Sequence, residues 1–237
     1  MPRWPSLVPV AALLLVAIGI FATARGASRS TAIPALASDV PLAAVPGKVT
    51  AVFAGGCFWG TQSVFERVKG VLNTTAGYAG GSADTATYSQ VSSETTGHAE
   101  SVRVVYDPAQ ITYGQLLRIF FSVAHDPTQL NRQGPDVGTS YRSAIFYAND
   151  EQKRIAAAYI EQLDKTHAFD APIVTKLEAL KGFYPAEDYH QDFAVTHPSY
   201  PYIVFNDLPK VDNLKRMFPD FYRETPVTVL ASNKPTQ

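Results

Sequence analysis

The single cysteine of the chain, Cys57, sits in the run GGCFWG, residues 55–60. Three features there favour a reactive thiol. A Gly-Gly turn followed by helix-like spacing puts the sulfur at a helix N-terminus, where unpaired N–H groups and the helix dipole lower a thiol pKa from about 8.5. The glycines let a substrate come close. Phe58 and Trp59 supply an apolar, aromatic wall suited to a small group such as a methyl. An isolated cysteine is more often a small buried hydrophobe. The glycine turn at a strand-to-helix junction shifts the reading towards reactivity. With no second cysteine, an internal disulfide is excluded, as is every zinc site that needs two thiolates. The G(x)4GT spacing from Gly55 to Thr61 has the look of a phosphate loop, but no lysine follows its second glycine.

Three further clusters carry polar chemistry. In TGHAE, residues 96–100, His98 and Glu100 share one face of an extended segment. A His-x-Glu pair can open a zinc deaminase site, but the Pro-Cys-x-x-Cys it needs is absent. A carboxyl among aromatic rings would have its pKa raised and remain protonated as an acid, whereas spacing alone favours a solvating charge on a strand edge. RQGPDVGTSYRS, residues 132–143, is a Gly/Pro/Asp-rich loop that can present Asp136 and Tyr141 to a pocket. GFYPAEDYHQDF, residues 182–193, mixes Glu187, Asp188, His190 and Asp192 with aromatics. It suits an amphipathic connection and a pocket lining equally.

The elements that must position these groups follow from pattern. Val49 to Ala54 predicts a strand, Cys57 to Val68 a helix, Val71 to Tyr78 and Ser101 to Tyr106 two more strands. Thr112 with Gln115 fits a capping box for a helix to about Val123. Ser143 to Tyr147 predicts a fourth strand, and Asn149 with Gln152 caps a helix to about Lys165. The order βαββαβ is ferredoxin-like, so the fold class is α+β: a two-layer α/β sandwich with a mixed sheet and long loops. A strand over Ile173 to Leu180 and a last helix over Val211 to Phe218 complete the expectation, with one catalytic domain from 48 to 224 and a tail from 225 to 237.

The 20 Lys+Arg and 21 Asp+Glu of this 237-residue chain nearly cancel, which argues against a nucleic-acid partner held by phosphate neutralisation. Leu7 to Ala24 carries no charge and ends in the small-residue site Ala22-Thr23-Ala24. Residues 1–24 are therefore expected to be a signal peptide or an uncleaved signal anchor, and the protein to be exported: periplasmic or extracellular, and membrane-bound only if the segment stays attached. Residues 25–47, rich in Ala, Ser and Pro, predict a flexible linker.

GGCFWG at 55–60, AGYAGG at 76–81, TGHAE at 96–100, HDPTQLNRQGPDVGTSYRS at 125–143 and FYPAEDYHQDF at 183–193 stand in the order found in one family. From about Thr50 to Phe205 the chain resembles the A-type peptide methionine sulfoxide reductases. The resemblance implies that Cys57 is the nucleophile, Phe58 and Trp59 the pocket for the substrate methyl, and Glu100 the acid. It further implies that Tyr88 and Tyr141 hydrogen-bond the sulfoxide oxygen, and that Asp136 is the family's motif aspartate. Reduction of methionine-S-sulfoxide, free or in oxidised proteins, would pass through a Cys57 sulfenic acid. No bound cofactor or metal is implied, and a monomer is expected. One departure matters. Many relatives carry resolving cysteines in a glycine-rich tail, whereas this chain has PKVDNLKRMFPDFYRE at 209–224, and Ser92 where some have cysteine. The resolving thiol must then be external: thioredoxin-like, glutaredoxin-like or a small molecule.

Two other classes remain compatible with the residues. A cysteine acyl hydrolase would need His98, His125 or His190 within hydrogen-bond reach of Cys57. A binding module for oxidised or apolar peptides would need only the aromatic pocket, with Cys57 structural.

Overall fold

Along the first strand Ala51 and Phe53 face one side of the sheet and Val52 and Ala54 the other, and all four are buried. A strand apolar on both faces belongs at the centre of a sheet. The computed structural model describes residues 33–229. In chain order it has β1 (Val49–Gly55), α1 (Phe58–Phe65), β2 (Val71–Ala79), α2 (Tyr88–Val91), β3 (Ala99–Tyr106) and α3 (Tyr113–Ile119). A small hairpin, β4 (Arg132–Gln133) with β5 (Asp136–Val137), precedes β6 (Ser143–Tyr147) and α4 (Asp150–Lys165). The chain continues through β7 (Lys176–Ala179), β8 (Phe183–Pro185), α5 (Phe193–Thr196) and α6 (Leu208–Met217).

The large sheet runs β7-β6-β1-β3-β2-β8. Its four central strands are antiparallel neighbours, and β7 joins β6 in parallel, so the sheet is mixed. With α1 following β1 and α3 following β3, this is the expected ferredoxin-like core of an α+β fold. One face packs the main core, including Phe53, Phe65, Phe120, Leu116 and Ile145, beneath the helices. The opposite face is built of small residues, Ala54, Ala79, Ala99 and Ala144, with Val52 and Phe146. Leu180 and Phe183 pack against it.

Both predicted helix starts form by the expected chemistry. Thr112 Oγ1 accepts from Gln115 N–H at 3.0 Å while the Gln115 side chain accepts from Thr112 N–H, and Asn149 Oδ1 accepts from Gln152 N–H. The strand expected from Ile173 to Leu180 is shorter, because it pairs only where β6 runs beside it. The last helix begins earlier than expected, with Pro209 in its first turn, where the missing N–H is no loss.

The flexible linker expected over 25–47 is corrected for residues 33–47, which dock on α3, α4 and, through Ala43 and Gly47, the turn at Asp107-Pro108. Ile33 and Leu36 are buried in the main core. Tyr159 Oη donates to the Pro34 carbonyl at 2.6 Å, Arg118 Nε donates to the Ile33 carbonyl at 3.0 Å, and Gln162 bonds both Ala35 and Ala37. Two apolar residues three apart, set among small ones, suffice to anchor the strap, and composition hid them. The domain therefore begins at or before Ile33. At the other end the tail's first residues are also held, with Val227 N–H donating to the Glu66 carbonyl. The predicted export segment lies outside the described residues. Among the described residues no helix is long and apolar enough to cross a membrane.

Candidate active site

The chain leaves β1 through Gly56, whose φ of +85° belongs to the region glycine occupies freely. A Cβ there would collide with the Gln133 side chain, which lies against the turn and is itself fastened at both ends to the backbone of Asp126. Cys57 is then the N-cap residue of α1, as its sequence position predicted. The sulfur is not electrostatically activated, however. Burial pushes the Cys57 thiol well up, and the nearby carboxyls of Glu100, Asp207 and Asp136 push it further, against a hydrogen bond from Trp59 N–H that lowers it. The expected lowering by the helix terminus is outweighed, and the resting group is a thiol.

Glu100 lies on β3 on the same face as Val102 and Val104, which turns it beneath the helices. It is buried, and its Oε2 accepts from Phe58 N–H, one of the free donors at the start of α1, at 3.0 Å. Burial raises its pKa to about 8, opposed by the Phe58 bond and helped by Asp136 and Glu94. The reading of Glu100 as a solvated edge charge is thereby corrected: at neutral pH it holds a proton.

Around this pair stand the other predicted groups. The Tyr141 hydroxyl feels Glu100, Asp136, Cys57 and Tyr88, and burial first of all holds it neutral. Tyr88 is likewise raised, by burial and then by Glu100. Asp136 accepts a hydrogen bond from Tyr202 Oη. Burial raises the Asp136 pKa against the lowering effects of that bond and of Lys210. Trp59 stacks on Phe193 at 3.9 Å between ring centres and donates from Nε1 to His190 Nδ1 at 3.2 Å. Phe58 packs deeper, against Tyr78 and His190. Cys57, Glu100, Tyr88, Tyr141, Asp136 and Trp59 thus converge from four separate stretches of sequence.

The three histidines do not serve Cys57. His98 braces the glycine loop, accepting from Gly81 N–H and bonding the Ser82 carbonyl. His125 bonds the Phe120 carbonyl and Ser143 Oγ, and burial lowers its pKa to about 4. His190 orients Trp59. No hydrogen bond links any of them to Cys57 among the described residues, which removes the geometry an acyl hydrolase requires.

Other residues position these groups: Glu187 comes from the 182–193 cluster, which the sequence leaves open between connection and pocket lining, and Glu94 carries no sequence signal. Glu187 accepts from both Tyr88 N–H and Tyr78 Oη at 2.9 Å, fixing the start of α2. Glu94, at φ 63°, accepts from Ser140 N–H and Oγ and so holds the turn that carries Tyr141. Tyr202, Asp207 and Lys210 close the site from the C-terminal segment, ahead of the helix expected from Val211.

Residues 49–221 match the family described as Peptide methionine sulfoxide reductase. The chain belongs to the peptide methionine sulfoxide reductase A family. A relative named Peptide methionine sulfoxide reductase MsrA 2, from Mesorhizobium japonicum, is 62% identical over 190 residues, covering 80% of this chain and 97% of that protein. A second of the same name, from Synechocystis, is 55% identical over 174 residues, covering 73% and 81%. Two solved structures share the fold. The reduced form of Mxr1 from Saccharomyces cerevisiae is 32% identical with a TM-score of 0.57, covering 69% of this chain and 94% of that one. Methionine sulfoxide reductase A of Corynebacterium diphtheriae is 33% identical with a TM-score of 0.55, covering 76% and 92%. This reductase is accordingly an oxidoreductase that reduces methionine sulfoxide in the repair of oxidative damage.

Proposed function

We propose that the chain reduces methionine-S-sulfoxide, in oxidised proteins or free, by moving the sulfoxide oxygen to Cys57 as a sulfenic acid. The observation that carries this reading is the buried pair of a thiol and a neutral carboxylic acid at the start of α1. A sulfoxide sulfur is weakly electrophilic until its oxygen gains a proton. Glu100 supplies that proton, and the Cys57 S–H proton replaces it on the carboxylate as the sulfur attacks. Glu100 therefore returns to its neutral form. The raised Cys57 pKa is no obstacle, because the base that accepts its proton arises only when the substrate has been protonated. The substrate S–O bond breaks, an S–O bond to Cys57 forms, and methionine gains the electron pair that Cys57 loses. Tyr88 and Tyr141, held neutral, donate to the sulfoxide oxygen, and Trp59 meets the methyl.

With one cysteine in the chain, the sulfenic acid is attacked by an external thiol, thioredoxin-like, glutaredoxin-like or small, and a second thiol releases the mixed disulfide. Steady-state turnover with a dithiol and each sulfoxide epimer separately tests the stereochemistry: the S epimer is consumed and the R epimer is not. Equal consumption of both would contradict it.

The charge-free run from Leu7 to Ala24 supports work outside the cytoplasm, in the periplasm or beyond. N-terminal sequencing of the protein recovered from its native cell is expected to begin at Arg25. A chain starting at Met1 in a soluble cytoplasmic fraction would contradict export.

A further inference from the structure

Asp207 and Lys210 form an ion pair at 3.2 Å, with side-chain exposures of 0% and 8%. The pair covers the first turn of α1. A Cβ on Gly60 would collide with Asp207 Oδ1 and stand 2.6 Å from Lys210 Nζ. Gly60 is three residues beyond Cys57 and so lies on the same side of the turn. From this position Asp207 acts on Cys57 and Glu100, and Lys210 on Asp136.

A buried ion pair that served only to fasten α6 to α1 would have its remaining polar atoms satisfied, since burial otherwise costs more than the attraction returns. Here they are not. Asp207 Oδ2 is buried without a hydrogen-bond partner, and the Lys210 ammonium, with three protons, has Asp207 as its one partner among the described residues. The pair thus keeps unused capacity on both ions, beside the sulfur that must be resolved. Beside the neutral Glu100, the carboxyls of Asp207 and Asp136 act on that sulfur, a setting unfavourable to an incoming thiolate. Lys210 is the opposing charge.

We propose that Lys210, held in place by Asp207, is a positioning residue for resolution: its charge admits an external thiolate to the oxidised Cys57. This rests on the sulfenic acid reading given above. In the step, the thiolate sulfur gives an electron pair to the Cys57 sulfur, an S–S bond forms and the Cys57 S–O bond breaks. The departing hydroxide takes the Glu100 proton and leaves as water. The thiolate is oxidised and the sulfenic sulfur reduced.

The test uses the full chain, oxidised with one equivalent of methionine sulfoxide and separated from product, so that the reductive step does not enter. Two probes then react with the sulfenic acid: 2-nitro-5-thiobenzoate, an anionic thiolate, and a neutral strained cycloalkyne. Lys210→Met should slow the thiolate about tenfold while leaving the cycloalkyne within about twofold, and Lys210→Arg should restore most of the thiolate rate. Lys210→Gln, whose amide can keep a hydrogen bond to Asp207 if the methionine variant misfolds, should show the same selective loss. Equal slowing of both probes would reduce the pair to a structural fastening, and no slowing of either would also overturn the proposal. Failure of the wild-type protein to form any trappable sulfenic acid would instead sink the underlying reading.

Discussion

Cys57→Ser is expected to abolish methionine sulfoxide reduction, by at least a thousandfold, with the fold intact. The sulfur is the only atom of the site that can give up an electron pair and carry the transferred oxygen, and a serine hydroxyl can do neither at neutral pH. The substitution should be well tolerated structurally. Cys57 is the N-cap of α1, a position at which serine is among the preferred residues, and its hydroxyl can accept from the free N–H groups of the first turn. Steady-state kinetics beside a thermal unfolding curve checks both halves. Residual turnover above about one part in a hundred in a protein free of wild type would remove Cys57 from the reaction.

Glu100→Gln should slow single-turnover methionine release by roughly 10²–10⁴, the range attributable to a positioned general acid. Glutamine can keep the hydrogen bond to Phe58 N–H through its carbonyl oxygen, so the loss reports on the proton and not on the scaffold. The pH dependence gives a second check. With its pKa raised from 4.5 to about 8, Glu100 is the acid needed below pH 8, and the rate of methionine release should fall as pH rises through that value. The variant should lack that inflection. Stability follows the same linkage: the folded chain holds a proton that the unfolded chain releases between pH 4.5 and 8. Glu100 therefore contributes a loss of stability as pH rises through this window, a slope absent in Glu100→Gln. An unchanged release rate in the variant would take the acid role from Glu100.

Much of this was legible in the sequence because it is local. An apolar run at Val49–Ala54 and alternation over Ser101–Tyr106 placed central strands to within a residue or two, and the Thr112–Gln115 and Asn149–Gln152 caps marked their helix starts. Gly55-Gly56 placed Cys57 at a helix N-terminus for a reason that the positive φ of Gly56 bears out. What composition misread depends on contacts distant in sequence. Residues 33–47 look like a spacer until Ile33 meets the core and Tyr159 meets Pro34 across 125 residues. The thiol's electrostatics reversed sign because burial, first of all, and then the carboxyls of Glu100, Asp207 and Asp136 from other segments push its pKa up, and a local rule about helix termini contains none of these. The same holds for Glu187 and Glu94, whose work is to hold Tyr88 and the turn before Tyr141. Asp207 and Lys210 lie ahead of the helix expected from Val211, and only their packing over Gly60 brings them to the site.

In the reaction proposed above, oxygen passes from substrate sulfur to Cys57. Its most direct test is a single turnover without reductant: the reduced protein is mixed with excess methionine-S-sulfoxide, and released methionine and oxidised Cys57 are counted together. One methionine per protein is expected, matched by one Cys57 sulfenic acid identified by trapping and mass analysis. Folded, fully reduced protein that releases no methionine, or that releases it while Cys57 stays a thiol, would contradict it.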